Sequence, residues 1–210
     1  MRPPPMKTSK LLICAIAVAS ALAAVKAPGQ NLSATLTNIA PGLAVTGTFD
    51  SGSFIQQYPS GEMRFTDFDA FCVEPAAGIS YGETLIYQIQ DPLSLGNYDK
   101  ISRLVGGYLA SSRSDQNAAA VQWAIWETTY ETVNSPSLFD GNVKILAPSL
   151  DTAALANQYL ANINTYSPVA LTYLKSSTRQ DVVTWNAVPE PGSAALAVIS
   201  TLVLLRRRRR

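Results

Sequence analysis

Cysteine is the residue with the most useful chemistry in this chain, which contains Cys14 and Cys72 but no histidine. Without histidine, Ser-His-Asp and Cys-His catalysis are excluded, and most kinds of zinc site are removed. We therefore expect neither a metal nor another cofactor. Cys14 lies in a segment that we expect to be removed on export, so Cys72 is predicted to be alone. A lone exported cysteine is buried, paired to another molecule, or chemically used.

Gln122 is the second residue of interest, because it lies on an apolar stripe of a predicted helix. Its neighbours along the stripe are Ala118, Val121, Ile125 and Trp126. A buried amide left unpaired costs about 1–3 kcal/mol, so Gln122 needs partners. One interpretation is a glutamine bonded to backbone. The other is a thioester, in which the side-chain carbonyl carbon is bonded to the Cys72 sulfur after loss of ammonia.

Two sequence segments, fifty residues apart, carry a resemblance that bears on this choice. The first reads Phe71-Cys72-Val73-Glu74-Pro75, and the second reads Gln122-Trp123-Ala124-Ile125-Trp126-Glu127. Together they resemble the Cys-Gln thioester domain of bacterial surface adhesins over about Asp67–Glu131. The resemblance implies that Cys72 supplies the sulfur and Gln122 the acyl group. Phe71, Ala124, Ile125 and Trp126 are the residues that support the two motifs.

The resemblance implies covalent capture rather than turnover. An amine or hydroxyl of a target would attack the thioester, leaving a stable amide or ester and a free Cys72 thiol. We expect such a single-use binder not to be an enzyme. Its expected target is a surface protein or an extracellular polysaccharide.

The amino-terminal segment has the pattern of a signal peptide. Lys7 and Lys10 precede an apolar run from Leu11 to Leu22, which is too short to span a bilayer comfortably. Small residues then follow, so residues 1–27 are predicted to be a signal peptide that is cleaved near 23–27. The mature protein is therefore expected to be secreted.

The carboxyl-terminal segment, residues 188–210, resembles the PEP-CTERM sorting signal. It contains Pro189, Glu190 and Pro191, then the apolar stretch Ala194–Leu205, then Arg206–Arg210. The resemblance implies sorting by exosortase in a Gram-negative bacterium that makes extracellular polysaccharide. The apolar stretch is expected to form a transmembrane helix before processing, with the arginines on the cytoplasmic side. The expected location is the outer surface or the extracellular matrix.

Residues 28–187 are predicted to form one α+β domain that positions the cysteine and the glutamine. A hairpin is predicted from Leu32–Asn38 and Leu43–Phe49, then a loop at Asp50–Gly61 and a strand at Met63–Val73. Further elements are predicted from periodicity: a strand at Thr84–Gln90, helices at Tyr98–Ser111, Ser114–Glu131 and Thr152–Tyr166, and strands at Val169–Lys175 and Asp181–Trp185. This order predicts a β-sandwich or barrel-like sheet with an inserted helical subdomain. The signal peptide and the C-terminal apolar helix would flank that domain.

Charge and carboxylate positions define the other possibilities. Between Pro28 and Val188 there are seven basic and fourteen acidic residues, a net charge of −7 that disfavours nucleic-acid binding.

A matrix protein of the same fold without the bond is one alternative. A carbohydrate-active enzyme is another, because paired carboxylates can serve a glycosidase. The candidate pairs are Asp67 with Asp69 and Glu127 with Glu131, although solvated charge is the default interpretation. Tyr81, Trp123, Trp126 and Tyr130 can stack on sugars, although aromatic residues on a helix are more often core.

Overall fold

A computed structural model describes residues 28–49, 54–75, 77–131 and 136–185. Cys14, the predicted signal peptide and the predicted sorting signal lie outside these residues. The described elements are β1 (Asn31–Phe49), β2 (Phe54–Phe65), β3 (Asp69–Cys72), β4 (Thr84–Gln90), α1 (Tyr98–Ala110), α2 (Asp115–Tyr130), β5 (Lys144–Ile145), α3 (Leu150–Ala161), β6 (Thr172–Ser176) and β7 (Val182–Thr184). Across the described ranges, none of the helices combines the length and the apolar character that a membrane crossing needs.

The seven strands form one antiparallel sheet in the order β2-β3-β7-β6-β4-β1-β5. An additional pairing joins β2 to β1 and closes six of the strands into a ring, and β5 pairs with the later part of β1 at Gly47 and Thr48. Strand β1 makes this possible because it is 19 residues long. Its first part pairs with β4 over Asn31–Thr35, and its later part pairs with β2.

The three α-helices are inserted between β4 and β6, as the change of periodicity predicts. Side chains of the ring and of the helices share one hydrophobic core. In β4, Leu85, Tyr87 and Ile89 point into that core and alternate with exposed residues, as predicted. The described residues therefore form a mixed α+β fold with a seven-stranded antiparallel sheet and three α-helices.

Helix α2 begins where the sequence places its cap. The side chain of Ser114 accepts a hydrogen bond from the backbone N–H of Asn117, which satisfies one of the free amides of the first turn. Helix α1 and strand β4 match their predicted bounds within one residue. The third helix is shorter than predicted, because a separate 3-10 turn at Ile163–Thr165 follows it.

The predicted hairpin around Ala40-Pro41-Gly42 is wrong, and the loop predicted at Asp50–Gly61 is wrong from Phe54 onward, while residues 50–53 lie outside the described residues. Strand β1 runs through the Pro-Gly pair, and the chain returns in β2, which begins at Phe54. Gly42 pairs with Gly61 at an irregularity of the ladder, and a Cβ on Gly42 would lie 2.7 Å from the Ser60 carbonyl oxygen. Glycines on both strands allow this close approach, so a pattern typical of turns here marks a bulge.

The strand predicted at Met63–Val73 is two strands joined by a tight turn. Strand β2 ends at Phe65, whose N–H donates to the carbonyl of Phe68 at 2.9 Å, and β3 begins at Asp69. The turn explains why Phe65, Phe68 and Phe71 break strict alternation and are nevertheless all buried.

Candidate functional site: a cysteine and a glutamine in the core

Helix α2 places Gln122 in the core, because almost its whole length is buried. Every residue from Ala118 to Thr128 is buried, and the three consecutive alanines allow other elements to pack closely around the helix. The side chain of Gln122 is 1% exposed. Its amide must therefore find partners inside the protein.

The partner of Gln122 is the backbone of Cys72. The N–H of Cys72 donates to Oε1 of Gln122 at 3.0 Å, and Nε2 of Gln122 donates to the carbonyl oxygen of Cys72 at 2.8 Å. The structure thus brings together the two residues that the sequence singles out. Both hydrogen bonds fix the amide carbon of Gln122 beside the residue that carries the sulfur.

The backbone groups of Cys72 are available to the Gln122 amide because β2 does not pair with β3 at this residue. On one side of β3, the N–H of Val73 donates to the carbonyl of Asp181 in the ladder with β7. Successive residues of a strand face opposite neighbours, so the backbone groups of Cys72 face the side of β2. Strand β2 pairs with β3 only at Ala70 and Asp69. The Gln122 side chain therefore extends the ladder where no strand is present.

The sulfur of Cys72 is buried, and the residue is 2% exposed. Burial raises the pKa of the Cys72 thiol to about 12, and the charges of Glu74 and Asp181 act in the same direction. Two N–H groups act in the opposite direction: the indole of Trp126 and the backbone of Glu74, which donates to the sulfur at 3.3 Å. The thiol is thus protonated at neutral pH, and hydrogen-bond donors surround it.

Trp126 contributes a buried donor without a hydrogen-bond acceptor. Its indole Nε1–H has no partner within hydrogen-bond geometry among the described residues, although the ring is only 3% exposed. The ring itself is held by aromatic neighbours, with centroid distances of 5.2 Å to Trp123 and 5.5 Å to Phe49. Most buried indole groups find an acceptor, so this donor is a feature that needs a physical reason.

A cavity of about 270 Å³ adjoins the pair and is lined by Cys72, Gln122 and Trp126. Strand β2 supplies Gln56 and Tyr58 to the wall, and the turn before β7 supplies Gln180. Among the described residues, no Asp, Glu, Lys or Arg lines this space. The wall of the cavity beside the pair is therefore uncharged.

The β2 wall of this cavity was not predicted from the sequence, because the segment that contains Tyr58 reads as a loop. Its serine, glycine and proline residues match turn composition, while its pairing with β1 depends on contacts distant in sequence. The Glu74 backbone donor has no sequence signal at all, since any non-proline residue supplies the same N–H.

The residues that support the two motifs are all core residues. Phe71, Ala124 and Ile125 are completely buried, and Phe71 packs edge-on against Tyr108 with ring centroids 5.1 Å apart. Trp123 is completely buried as well, and its indole N–H donates to the Ser60 hydroxyl at 2.9 Å. Phe71, Trp123, Ala124 and Ile125 pack within the core and do not line the cavity, whereas Trp126 does.

The carboxylates of Glu127 in α2 and of Glu131, the residue that follows the helix, bind backbone N–H groups of the next segment. Glu127 is completely buried, and its Oε1 accepts from the N–H of Ser137 at 2.9 Å. Burial raises the pKa of Glu127 to about 7, and the charge of Glu131 adds to the effect. Glu131 accepts from the N–H groups of Asn142 and Val143. The expectation that Glu127 carries solvated charge is therefore wrong.

The second predicted carboxylate pair is not on one strand face. Asp67 lies in the exposed turn between β2 and β3, while Asp69 begins β3, 3.6 Å from a guanidinium nitrogen of Arg113. Burial and the charge of Glu62 raise the pKa of Asp69, although Arg113 opposes them. Within the described ranges, no group of acidic or cysteine side chains is arranged to hold a metal ion.

Comparisons of this chain with protein-family models, with curated proteins and with solved structures gave no match.

Proposed function

We propose that the protein is an exported, surface- or matrix-associated binder that captures its target covalently through an internal Cys72–Gln122 thioester. The observation that carries this proposal is the buried amide of Gln122, fixed by two hydrogen bonds on the backbone of Cys72 beside a cavity. A thioester needs a thiol held against an amide, with water excluded. It needs no histidine, which agrees with the composition of the chain.

Formation of the thioester releases one molecule of ammonia. The Cys72 sulfur attacks the side-chain carbonyl carbon of Gln122, the bond from that carbon to Nε2 breaks, and ammonia leaves with the thiol proton. Negative charge develops on Oε1 during the attack. The N–H of Cys72 donates to this oxygen at 3.0 Å, so it is the group that we assign to polarising the carbonyl.

In the capture of a target, the Cys72 sulfur is the leaving group rather than the attacking group. A target amine attacks the carbonyl carbon, the bond from carbon to sulfur breaks, and the electron pair and a proton end on the Cys72 sulfur. The product is an amide between the target and the former Gln122. Each molecule reacts once, so the proposal is of a binder and not of an enzyme.

The architecture and the chain ends support the proposed setting. The ring of strands and the helical insertion each carry one motif of the thioester-domain resemblance, with Cys72 on β3 and Gln122 on α2. The sequence pattern of residues 188–210 supports sorting by exosortase to the surface of a Gram-negative cell. Replacing Pro189, Glu190 and Pro191 by alanine is expected to abolish labelling of the protein on intact cells, and unchanged labelling would contradict the sorting proposal.

Intact mass tests the bond. The mature protein is expected to weigh one ammonia less than its sequence, and Cys72→Ala and Gln122→Ala are each expected to restore the full mass. Gln116→Ala is the matched control, because Gln116 lies on the same helix but donates to the Thr152 hydroxyl at 2.9 Å. The Gln116→Ala protein is expected to keep the mass deficit of one ammonia. Methylamine should then add its own mass and expose one alkylatable thiol.

A non-reactive matrix protein of the same fold is the second candidate, and one observation favours it. The two hydrogen bonds to Cys72 give both polar atoms of the Gln122 amide a partner, so this glutamine has a structural role even without a bond. A full-length mass with one free thiol in the native protein would establish this candidate and exclude covalent capture.

A further inference from the structure

The sulfur of Cys72 faces two N–H donors that the peptide ladder does not use. The backbone N–H of Glu74 donates to it at 3.3 Å, and the indole N–H of Trp126 acts on it without reaching hydrogen-bond geometry. Trp126 lines the same cavity as Cys72 and Gln122. The atom whose charge changes during the proposed reaction is thus in contact with the Glu74 donor, and the Trp126 indole lies at the same cavity.

The indole donor is held in place by its surroundings. Trp126 packs edge-on against Trp123 and Phe49, so the ring cannot turn its N–H toward another acceptor without breaking up an aromatic cluster. A buried donor without an acceptor in the resting state is the arrangement expected if its acceptor gains charge only during reaction.

The sulfur needs such donors because its other neighbours oppose negative charge. Burial is the largest of these effects, and the carboxylates of Glu74 and Asp181 add to it. No basic side chain is among the groups that act on this sulfur, and no Lys or Arg in the described ranges lines the cavity. Neutral N–H groups are thus what the site offers to stabilise a thiolate.

We propose that the indole N–H of Trp126, with the backbone N–H of Glu74, stabilises the Cys72 sulfur as it leaves when the thioester is attacked. This rests on the proposed function. As the target amine adds to the carbonyl carbon, the carbon–sulfur bond breaks and its electron pair passes to the sulfur. Trp126 donates to that sulfur until the proton released by the amine reaches it.

The test replaces Trp126 by β-(3-benzothienyl)alanine, which keeps the shape of indole but has sulfur in place of N–H. A hydrogen bond to a charged group corresponds to about a ten- to hundredfold change in rate. The rate of methylamine addition to the mature protein, followed by intact mass, is expected to fall by that factor. Trp126→Phe serves as a second variant, with circular dichroism as the check that the fold is retained.

The matched control places the same unnatural residue at position 123. Trp123 lies three residues earlier on α2, and its N–H donates to Ser60 rather than acting on the sulfur. Methylamine addition in this control is expected to stay within about twofold of the unmodified protein. A rate within twofold when position 126 is replaced would overturn the proposal.

A second measurement separates this proposal from the thioester itself. In the Gln122→Ala background no thioester forms, and iodoacetamide alkylation at pH 8 reports the thiolate fraction of Cys72. Loss of the Trp126 N–H is expected to slow alkylation by about the same ten- to hundredfold. If the native protein keeps its full mass but this slowing occurs, the donor contact stands and covalent capture fails. Unchanged alkylation overturns the donor role in either case.

Discussion

The position of Gln122 could be predicted from the sequence, but its partner atoms could not. A polar residue on an otherwise apolar helical stripe indicates a buried amide in need of hydrogen bonds. That the bonds go to the backbone of Cys72 depends on where β2 leaves β3, and this is a tertiary property. The motif resemblance named two residues that the structure brings into contact, without indicating this geometry.

The charge of Glu127 alone led to a wrong prediction of its environment. The sequence places it one residue after Trp126 at the end of a buried stretch, and a carboxylate there reads as solvated. In the structure its Oε2 is buried without a hydrogen-bond partner among the described residues. The N–H of Ser137, which binds the other oxygen, belongs to the segment after α2, and no periodicity connects that segment to the helix.

Glu127→Gln is expected to remove a pH dependence of stability. The pKa of Glu127 is raised from 4.5 to about 7 in the folded protein, so its favourable contribution is complete below pH 4.5 and is lost as pH rises through 7. The free energy of unfolding of the wild type should therefore fall relative to the variant between pH 5 and pH 8, by up to about 3 kcal/mol. Urea unfolding at the two pH values measures this, and parallel pH profiles for the two proteins would contradict it.

At the scale of elements, the helices were predictable and the first hairpin was not. Apolar spacing and the Ser114 cap are local signals, so α1 and α2 lie close to their predicted bounds. The pairing of β1 with β2 includes instead a close contact of two glycines, Gly42 and Gly61. Gly47 lies against both the Trp123 ring of α2 and the Lys144 carbonyl of β5.

Gly47→Ala is expected to destabilise the packing of β1 on α2. A Cβ at this position would overlap the Trp123 ring and lie 2.5 Å from the Lys144 carbonyl oxygen, so the helix or β5 must move. Overpacking of this kind costs about 1–3 kcal/mol, which denaturant unfolding measures as a lower midpoint. Gly96→Ala is the control, because nothing lies within 4 Å of its added Cβ and little change is expected. Equal stability of the two variants would show that β1 is not tightly packed on α2.

At the scale of the whole molecule, a charged network joins the strands to the helices. Glu62 of β2 is completely buried and receives hydrogen bonds from the Tyr108 hydroxyl of α1, at 2.7 Å, and from Arg113, at 2.5 and 3.2 Å. Arg113 lies in the connection between α1 and α2. The overall α+β order was predictable from changes of periodicity, but this link was not, since a glutamate between a predicted loop and a predicted strand gives no sign of burial.

Arg113→Met is expected to destabilise the protein because it leaves Glu62 buried with a weaker partner. The free energy of unfolding should fall by about 2 kcal/mol. This is less than the 3–5 kcal/mol typical of fully buried pairs, because Arg113 is 43% exposed. Adding Glu62→Gln should recover part of the loss in a double-mutant cycle. Arg179→Met is the matched control, since its bridge to Glu83 is equally short but lies at the surface, and a smaller loss is expected. Equal losses in both variants would argue against the network.

The hydrogen bonds between the Gln122 side chain and the end of β3 make this strand and helix α2 one cooperative unit. A strand end normally frays, and its amide protons then exchange with solvent through small local openings. The Cys72 amide proton is held by a side chain from the middle of a buried helix, so releasing it requires the helix to move. Its hydrogen–deuterium exchange should therefore be as slow as that of the core of α2, although it belongs to the last residue of a four-residue strand.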